Sequence, residues 1–496
     1  MRRLRAAAAV TPVALVPLFL IGACSVGPDY AKPTTPAAEA YKEAPPSPSG
    51  DVGIWNPAAP ADQAPRGKWW QAYNDPTLNA LEEQVDVANQ SLKVAEARFR
   101  QARALIGVSR AAEYPTLATI PSIASINTSD NRPYPSTSHT TGDFILPLDA
   151  SYEVDLWGRI GRNVNASGDE AQASAADLQT ANLSLHAELA IDYFDLRSAD
   201  SQKQLLDDSV KAFADALQLT VNRANGGAAP ESDVAQAKTQ LDTTRVQATD
   251  ITVQRAQYEH AIAVLTGRSP SSFNLPPAPL ALKQPSIPVG LPSDLLQRRP
   301  DIAAAERRVA EANEQIGIAK AAYYPSLLLS PVIGFEGHQI SDWLMWPSLL
   351  WSVGFSMSET LFDGGRRDAL SDAARASYDA NVANYRQVTL NAFQQVEDDL
   401  AALRILQQEA QQQDEAVASA QNSLQLSTNR YVGGRDTYLQ VINAQTVTLA
   451  NQRNQTEILR RRMEASVQLI KALGGGWDAG TLPSLQDLEK SADAAP

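Results

Sequence analysis

The tetrapeptide Ala112-Glu113-Tyr114-Pro115 recurs 210 residues later as Ala322-Tyr323-Tyr324-Pro325. Farther along the chain, Asn222-Arg223 recurs as Asn429-Arg430, at an offset of 207 residues. Two weaker matches have offsets of 205 and 208 residues, and they pair residues 156–159 with 361–366 and residues 265–267 with 473–475. Offsets of this size are far longer than the roughly 20–50 residues of a solenoid repeat. The sequence therefore predicts a duplicated half-domain.

Apolar residues alternate at spacings of 3 and 4 in both halves, over residues 78–106, 302–323 and 234–265. This average spacing of 3.5 is typical of helices that pack along their length as coiled coils. Residues 148–229 and 348–482 contain no proline. Long helices are predicted within them, at roughly 162–223 and 366–431, and each would be on the order of 90–100 Å long.

Apolar and polar side chains alternate with period 2 in residues 144–156 and 351–358, which predicts strands with one apolar face. A less regular strand candidate precedes each of them, at 115–126 and 326–337. Four strands cannot close a membrane barrel, because single-chain barrels begin at about 8 strands. Open sheet edges are not tolerated in hydrocarbon, so strands that span a membrane would need further copies of the chain. A soluble sheet with its apolar face in a core is the alternative.

The N-terminus reads as a secretory signal: three arginines precede an apolar stretch that two prolines interrupt. The only cysteine, Cys24, follows Ile21-Gly22-Ala23 and resembles the lipidated cysteine of a bacterial lipoprotein. Ser25 in the next position favours sorting to the outer membrane, again by resemblance to other lipoproteins. The predicted organisation is a signal peptide at 1–23, a lipidated proline-rich segment at 24–66, a first repeat at 67–269, a proline-rich linker at 270–292, a second repeat at 293–475 and a tail at 476–496.

Composition excludes several classes of function. The net charge is −14, and without residues 1–23 the chain keeps 39 basic against 56 acidic residues, a net charge of −17. Nucleic acid is therefore not an expected partner, since its binding depends on neutralising phosphates. The four histidines lack metal-ligand spacing, and no nucleophile elbow or phosphate-binding loop occurs. We expect no enzymatic activity, no metal and no cofactor, apart from a covalent lipid on Cys24.

Several motifs together resemble the TolC-like outer membrane factor family, in its lipoprotein branch with OprM and NodT. They are Cys24-Ser25-Val26-Gly27-Pro28-Asp29-Tyr30, Trp69-Trp70, Asp294-Leu295-Leu296-Gln297-Arg298-Arg299-Pro300-Asp301-Ile302 and Tyr323-Tyr324-Pro325-Ser326-Leu327. The resemblance implies a mostly α protein with a transmembrane β part. It further implies a homotrimer, whose twelve-stranded outer-membrane β-barrel takes four strands from each copy and continues into the periplasm as an α-barrel. It also implies a periplasmic adaptor and an inner-membrane pump of the RND type as partners.

The same resemblance places a gate where the paired long helices turn at the periplasmic tip. Glycine pairs at these turns, Gly226-Gly227 and Gly433-Gly434, permit a sharp reversal after a helix. By position, the implied gate residues are Asp233, Tyr431, Arg435, Asp436, Gln440 and Asn443. A latch from Asp233 to Tyr431 and Arg435 is expected to hold the duct shut, and simple helix capping is the alternative. Gln440 and Asn443 would form an amide ring without the charge that attracts multivalent cations.

Three functions are compatible with these features. The first is a passive exit duct of a tripartite efflux pump for drugs or other small toxic compounds. The second is the outer-membrane component of a type I protein secretion system. The third is a periplasmic coiled-coil lipoprotein that acts as a scaffold and has no pore. The first is preferred, and the exported compound and the cognate pump are not predicted.

Overall fold

The computed structural model describes residues 25–35, 40–43, 67–129, 131, 140–280, 285, 287 and 294–493. The predicted signal peptide and Cys24 lie outside these residues. Packing divides the chain into two units, and each takes residues from both predicted repeats. The strand unit contains Met1–Tyr30, Gly107–Ala166 and Ala312–Tyr378, and the helical unit contains Ala31–Ile106, Ser167–Glu311 and Asp379–Pro496. The boundaries of the repeats and of the linker stay predictions.

Helices make up most of the described chain. The first half contains α1 Pro76–Ala88, α2 Gln90–Arg110, α3 Arg159–Asn225 and α4 Glu231–Leu265, and the second half contains α5 Leu295–Arg298, α6 Pro300–Ala321, α7 Arg366–Val432, α8 Tyr438–Ala472 and α9 Leu485–Asp493. The two long helices, α3 and α7, each have 67 residues, which confirms the prediction from the proline-free windows. Among the described residues, no helix is both long and apolar enough to cross a membrane.

The apolar residues at positions 78–106 do not lie on one helix, because the extended backbone of Asn89 (ψ 125°) separates α1 from α2. The Asn89 carboxamide oxygen accepts a hydrogen bond from the Leu92 backbone N–H at 3.0 Å and so caps the start of α2. The pattern of apolar residues passes through this break undisturbed. A local cap therefore interrupts a helix that periodicity alone predicts as continuous.

The second half has a matching break at Arg299, whose extended backbone (ψ 121°) separates α5 from α6. At each break a joint connects the chain to the end of a distant helix. The Asn89 carboxamide donates to the Leu265 carbonyl at the end of α4, at 2.8 Å. In the second half, the Arg299 guanidinium donates to the Ala472 carbonyl at the end of α8, at 3.0 Å. Asn89 and Leu265 are 176 residues apart, so tertiary packing selects these partners.

A glycine completes each joint. A Cβ on Gly267 would lie 2.4 Å from the Ala88 carbonyl oxygen, and a Cβ on Gly474 would lie 1.9 Å from the Arg298 carbonyl oxygen. Both glycines have positive φ, at 69° and 93°. The structure thus pairs Gly267 with Gly474, whereas the sequence match at an offset of 208 pairs Gly267 with Gly475. The shift arises because α4 and α8 end at Leu265 and Ala472, which are 207 residues apart.

The strand unit contains one antiparallel sheet of seven strands, of which β3 is the longest at 15 residues. They are β1 Thr116–Ala118, β2 Ser122–Asn127, β3 Thr140–Val154, β4 Ser326–Leu329, β5 Val332–Gly337, β6 Leu349–Ser352 and β7 Phe355–Ser358. β1 and β2 pair with one edge of β3, β4 and β5 pair with its other edge, and β7 and β6 follow them. Three of the four predicted strands are therefore present as two collinear pieces. The fold class, mostly α with a β part, is as predicted.

The core of the helical unit surrounds the Trp69-Trp70 motif. Both tryptophans are almost fully buried with Tyr73 among the side chains of α1, α3, α4 and α8. The Tyr73 hydroxyl shares a hydrogen bond of 2.7 Å with the Ser466 hydroxyl on α8. The Tyr193 hydroxyl on α3 donates to Asp75 at 2.6 Å. The segment before α1 is thus held between the two halves of the chain.

Candidate functional site

The candidate site consists of two tips, where long helices reverse. The first tip, residues 226–230, joins α3 to α4, and the second tip, residues 433–437, joins α7 to α8. The helices that lead into the tips, α3 and α7, both end in a Schellman motif. The N–H groups of Ala228 and Arg435 donate to the carbonyls of Arg223 and Arg430, at 2.7 and 2.9 Å.

Of the four predicted tip glycines, Gly227 and Gly434 have positive φ, at 70° and 68°. A Cβ there would cost about 1–2 kcal/mol per residue in the left-handed region. Gly226 and Gly433 precede them at the C-cap positions of α3 and α7. Their N–H groups donate to the carbonyls of Asn222 and Asn429, at 3.1 and 2.9 Å. The glycine pairs thus act as backbone elements of the turns.

Arg223, in the last turn of α3, contacts the last turn of α7. Its guanidinium carbon lies 4.8 Å from the centre of the Tyr431 ring, within the range of a cation–π interaction. Its Nη1 donates to the Val432 carbonyl at 2.9 Å, between residues 209 apart in sequence. The repeat Asn222-Arg223 and Asn429-Arg430 marks this residue in the sequence but does not reveal its partner.

Tyr431 is the most buried of the predicted gate residues. It is 3% exposed and packs with Ala237, Tyr438 and Val441, with 5.1 Å between the centres of its ring and the Tyr438 ring. Its hydroxyl has no hydrogen-bond partner in the part of the chain that the structure describes. Tyr431 therefore acts within one chain mainly through its ring.

Asp233 is half-buried on the first turn of α4, near Tyr438. Burial is the largest of the causes that raise the pKa of Tyr438, and the negative charge of Asp233 is another. Among the described residues, no hydrogen bond or ion pair joins Asp233, Tyr431 and Arg435 to one another within the chain. The predicted latch thus stays a prediction.

The remaining predicted residues lie at the second tip and on the turns of α8 that follow it. Asp436 forms an ion pair with Arg430 at 3.3 Å, and the side chains of Arg435, Gln440 and Asn443 are exposed. Their exposure leaves these three side chains accessible to another molecule. Within the described residues, no group of three or more histidine, cysteine, aspartate or glutamate side chains could hold a metal ion.

A second feature lies in the strand unit, directly after Cys24. The Val26 N–H donates to the Trp157 carbonyl at 3.1 Å. A Cβ on Gly27 would lie 2.6 Å from the Gly317 Cα, so only a glycine allows this close approach. The Trp157 ring stacks on Tyr324 with 4.7 Å between ring centres. The residues that follow Cys24 are thus held where β3 gives way to α3.

The comparison with protein families decides the identity of the chain. The family model described as outer membrane efflux protein matches residues 81–268 and 291–475. The chain belongs to this family. The two matched segments each contain one of the hairpin tips.

Relatives agree with this assignment to the outer membrane efflux protein family. The toluene efflux pump outer membrane protein TtgF of Pseudomonas putida is 31% identical over 467 residues, which is 92% of this chain and 95% of that protein. The pyoverdine export outer membrane protein OpmQ of Pseudomonas aeruginosa is 29% identical over 428 residues, 85% of this chain and 90% of that protein. The structure of the outer-membrane channel OprN superimposes with a TM-score of 0.83 at 30% identity, covering 92% of this chain and all of OprN.

These comparisons confirm the predicted family, the fold class, the efflux function and the outer-membrane location. An outer membrane efflux protein acts with other components of a pump, as the names of the relatives indicate. The copy number, the identity of the partners, the lipid on Cys24 and the gate residues stay predictions.

Proposed function

We propose that three copies of this chain form the exit duct of a tripartite efflux pump. Each copy contributes four strands, in the order β1/β2, β3, β4/β5 and β6/β7, to a twelve-stranded barrel. The observation that carries this proposal is the open sheet: in the described part of the chain, the outer edges of β1/β2 and β6/β7 have no strand partner. Open edges in hydrocarbon leave backbone groups unsatisfied, and pairing with neighbouring copies removes them.

The side chains of the sheet support a membrane location. Leu117, Ile123, Trp351, Phe355 and Met357 are each between 64 and 77% exposed in the single chain. A water-soluble monomer rarely exposes so many large apolar side chains on one small sheet. An outward apolar band with aromatic residues at its borders is typical of outer-membrane barrels.

The lipid proposal rests on the segment that follows Cys24. Since Val26 and Gly27 are held against Trp157 and Gly317, a lipid on Cys24 would start near the junction of β3 and α3. The barrel and the lipid would then enter the membrane at neighbouring points. One acyl anchor together with a barrel provides stable membrane attachment.

The transported compounds are proposed to be small organic molecules. TtgF and OpmQ are named for toluene efflux and pyoverdine export, and both names denote small molecules. We therefore prefer efflux, through a periplasmic adaptor and an inner-membrane pump of the RND type, over type I protein secretion. A scaffold without a pore is disfavoured by the likeness to the channel OprN.

The gate is proposed to lie at the two tips, with Asp233, Tyr431, Arg435 and Asp436 forming bonds between neighbouring tips. The half-buried Asp233 and the exposed Arg435 have opposite charges, and neither is used in an ion pair within the described chain. Gln440 and Asn443, exposed on α8, would line the narrowest ring with neutral amides. Multivalent cations, which prefer carboxylate oxygens, are then not expected to block the duct.

Single-channel conductance in planar bilayers tests both the duct and the gate. The wild-type trimer is expected to show a small conductance, and Asp233→Ala is expected to increase it severalfold because the acidic partner of the latch is lost. Asp242→Ala is the matched control, since Asp242 lies on the same helix in an exposed pair with Arg245. A large wild-type conductance that Asp233→Ala leaves unchanged would retain the duct and reject the latch. A folded oligomer that does not conduct would reject the duct.

A further inference from the structure

The register of the sheet places its large apolar side chains on one face. Residues that oppose each other on antiparallel strands point to the same side of a sheet, and side chains alternate between the two sides along each strand. One face therefore carries the apolar side chains of Ile123, Phe144, Leu148, Ile333, Trp351 and Met357. The charged residues of β3, Asp143, Asp149 and Glu153, point to the other face. In the proposed barrel the apolar face is the outer one.

The connection between β5 and β6, residues 338–348, folds back onto this apolar face. The Trp343 ring lies against the Phe144 ring, with 5.7 Å between their centres. Gly337 opposes Phe144, and a Cβ on Gly337 would lie 3.1 Å from the Trp343 Cα. Both contacts place this connection, which we call the tryptophan loop, on the outer side of the sheet.

The tryptophan loop leans away from the open edge of the sheet. In the described part of the chain β6 lies at that edge, and β5 separates it from β3. Trp343 reaches back across β5 to Phe144 on β3. The loop thus covers the middle of the sheet and leaves free the β6 edge, at which the next copy would pair. This placement favours a lipid over a neighbouring copy as the contact of the loop.

The side chains of the loop are mostly apolar and exposed. Ile340, Leu344, Met345 and Trp346 are between 54 and 80% exposed in the single chain. Asp342 is the one aspartate, glutamate, lysine or arginine of the loop. Exposed tryptophan beside aliphatic side chains is typical of segments that lie at the boundary between lipid head groups and acyl chains.

The loop also satisfies several of its backbone polar groups internally. The Asp342 N–H donates to the Gln339 carbonyl at 3.2 Å, and the Met345 N–H donates to the Asp342 carbonyl at 3.2 Å. The Ser348 hydroxyl donates to the same Asp342 carbonyl at 2.6 Å, and the Ser348 N–H donates to the Met345 carbonyl at 3.0 Å. Backbone groups that are already bonded lose less when a segment leaves water.

The corresponding connection of the first half has a different composition. Residues 128–139, between β2 and β3, include Tyr134 but no tryptophan, phenylalanine, leucine, isoleucine, valine or methionine. Only the second half of the duplication therefore has an apolar connection at this end of the sheet.

We propose that the tryptophan loop is a membrane anchor that inserts between the head groups and the acyl chains of the outer leaflet. This inference rests on the proposed membrane barrel. Phe144 lies near the start of β3 and α3 follows its end, so the loop and the helices lie at opposite ends of the strand. Residues 144–154 match the roughly 9–11 residues with which a tilted strand crosses a membrane. The loop and the proposed lipid on Cys24 thus hold opposite leaflets.

Site-specific fluorescence quenching tests this anchor. Cys24 is the only cysteine of the chain, so one introduced cysteine can carry a nitrobenzoxadiazole label, with the unsubstituted protein as the labelling background. The full-length variant Leu344→Cys is placed in nanodiscs of phosphatidylethanolamine and phosphatidylglycerol. Lipid with a doxyl group near the head group is expected to quench the label about twofold more than lipid with the group near the chain end, because the loop lies at a shallow depth. Iodide in the water is expected to quench it weakly.

Two neighbouring positions on β7 are the matched controls. Met357→Cys, on the apolar face, is expected to be quenched by the doxyl lipids, and Ser356→Cys, on the opposite face, is expected to be quenched by iodide. If iodide quenches the label at Leu344 as strongly as at Ser356 while lipid quenches the label at Met357, the anchor is wrong and the barrel stands. If neither quencher reaches Leu344, protein covers the loop, and the anchor is equally wrong. If lipid quenches neither Met357 nor Leu344, the proposed membrane barrel fails and the anchor fails with it.

Discussion

The two tips have the same backbone conformation but different side-chain contacts. The two joints share both the close approach of a glycine to a backbone carbonyl and a side-chain hydrogen bond to a helix end. At the tips, the same Schellman motif presents Arg223 to a distant ring and Arg430 to its own turn. At the joints, Asn89 and Arg299 donate to equivalent helix ends. The joints have thus kept their structural role after duplication, while the tips have diverged.

The largest effect is expected when a joint glycine is replaced. Gly474→Ala places a Cβ against the Arg298 carbonyl, and Gly267→Ala places one against the Ala88 carbonyl. Overlap with backbone oxygen at positive φ is expected to cost about 3 kcal/mol or more, so that little folded oligomer accumulates. The loss of folded oligomer is measured as the yield of oligomer that resists heat in detergent.

The tip glycines provide the control for this experiment. Gly227→Ala and Gly434→Ala have similar φ but nothing within 4 Å of the added Cβ. They are expected to cost only about 1–2 kcal/mol and to leave the yield nearly unchanged. Equal losses at joints and tips would show that φ alone, and not the close approach, determines the cost.

A smaller effect is expected from the side chains of the joints. Arg299→Ala removes a buried guanidinium that donates to the Ala472 carbonyl, to Gln395 and to the Asp301 carboxylate, and we expect a cost of about 3 kcal/mol. Asn89→Ala removes a neutral amide and is expected to cost about 1–2 kcal/mol, since hydrogen bonds of charged groups contribute more. Thermal unfolding followed by circular dichroism gives the comparison. The control Arg298→Ala, in an exposed pair, should cost less than about 1 kcal/mol, and an equal cost for Arg298 and Arg299 would refute the role of the joint.

The smallest effect is the pH dependence contributed by a buried histidine that only the first half has at this position. His186 lies buried between Glu82 and Asp86, at 2.6 and 3.0 Å, where the second half has Phe393 at the offset of 207. Burial raises the pKa of Glu82 to about 7. Burial lowers the pKa of His186, but its bonds to Glu82 and Asp86 outweigh this effect and leave the pKa raised.

Both shifts mean that the folded chain holds protons more tightly than the unfolded chain. The contribution of His186 is complete below its unfolded pKa of about 6.5 and is lost as the pH rises through the higher folded value. We therefore expect the unfolding free energy to fall by on the order of 1–2 kcal/mol between pH 5 and 8. The double variant Glu82→Gln, His186→Gln should flatten this dependence, and His260→Gln, at an exposed histidine, should not. An unchanged slope in the double variant would locate the pH dependence elsewhere.

Much of the fold was predictable because its signals are local. Proline-free windows predicted α3 and α7 to within three residues at each end, since proline excludes a helix interior. Alternation predicted the second and fourth strand positions, because period 2 directly reports a one-sided sheet. The breaks at Asn89 and within the paired strands were not predicted, since a cap or a short interruption leaves the periodicity on either side unchanged.

The candidate site was predictable only in part. The glycine pairs located both tips, because a helix that ends in a left-handed residue favours glycine. The contact of Arg223 with the Tyr431 ring was not predictable, since the two residues are far apart in sequence and no local pattern connects them. The repeat of Asn222-Arg223 was the one available signal, and it indicated equivalence where the structure shows a difference.

The sequence by itself determined the duplication, the long helices, the four strand segments and the tips, because each depends on residues that are neighbours along the chain. Tertiary structure alone decided which carbonyl each joint side chain bonds and which ring Arg223 covers. The physical reason is that periodicity states which face of a helix is buried but not which element covers it. Partner choice depends on how distant helix ends meet in space, and the two halves of this chain meet differently at their tips.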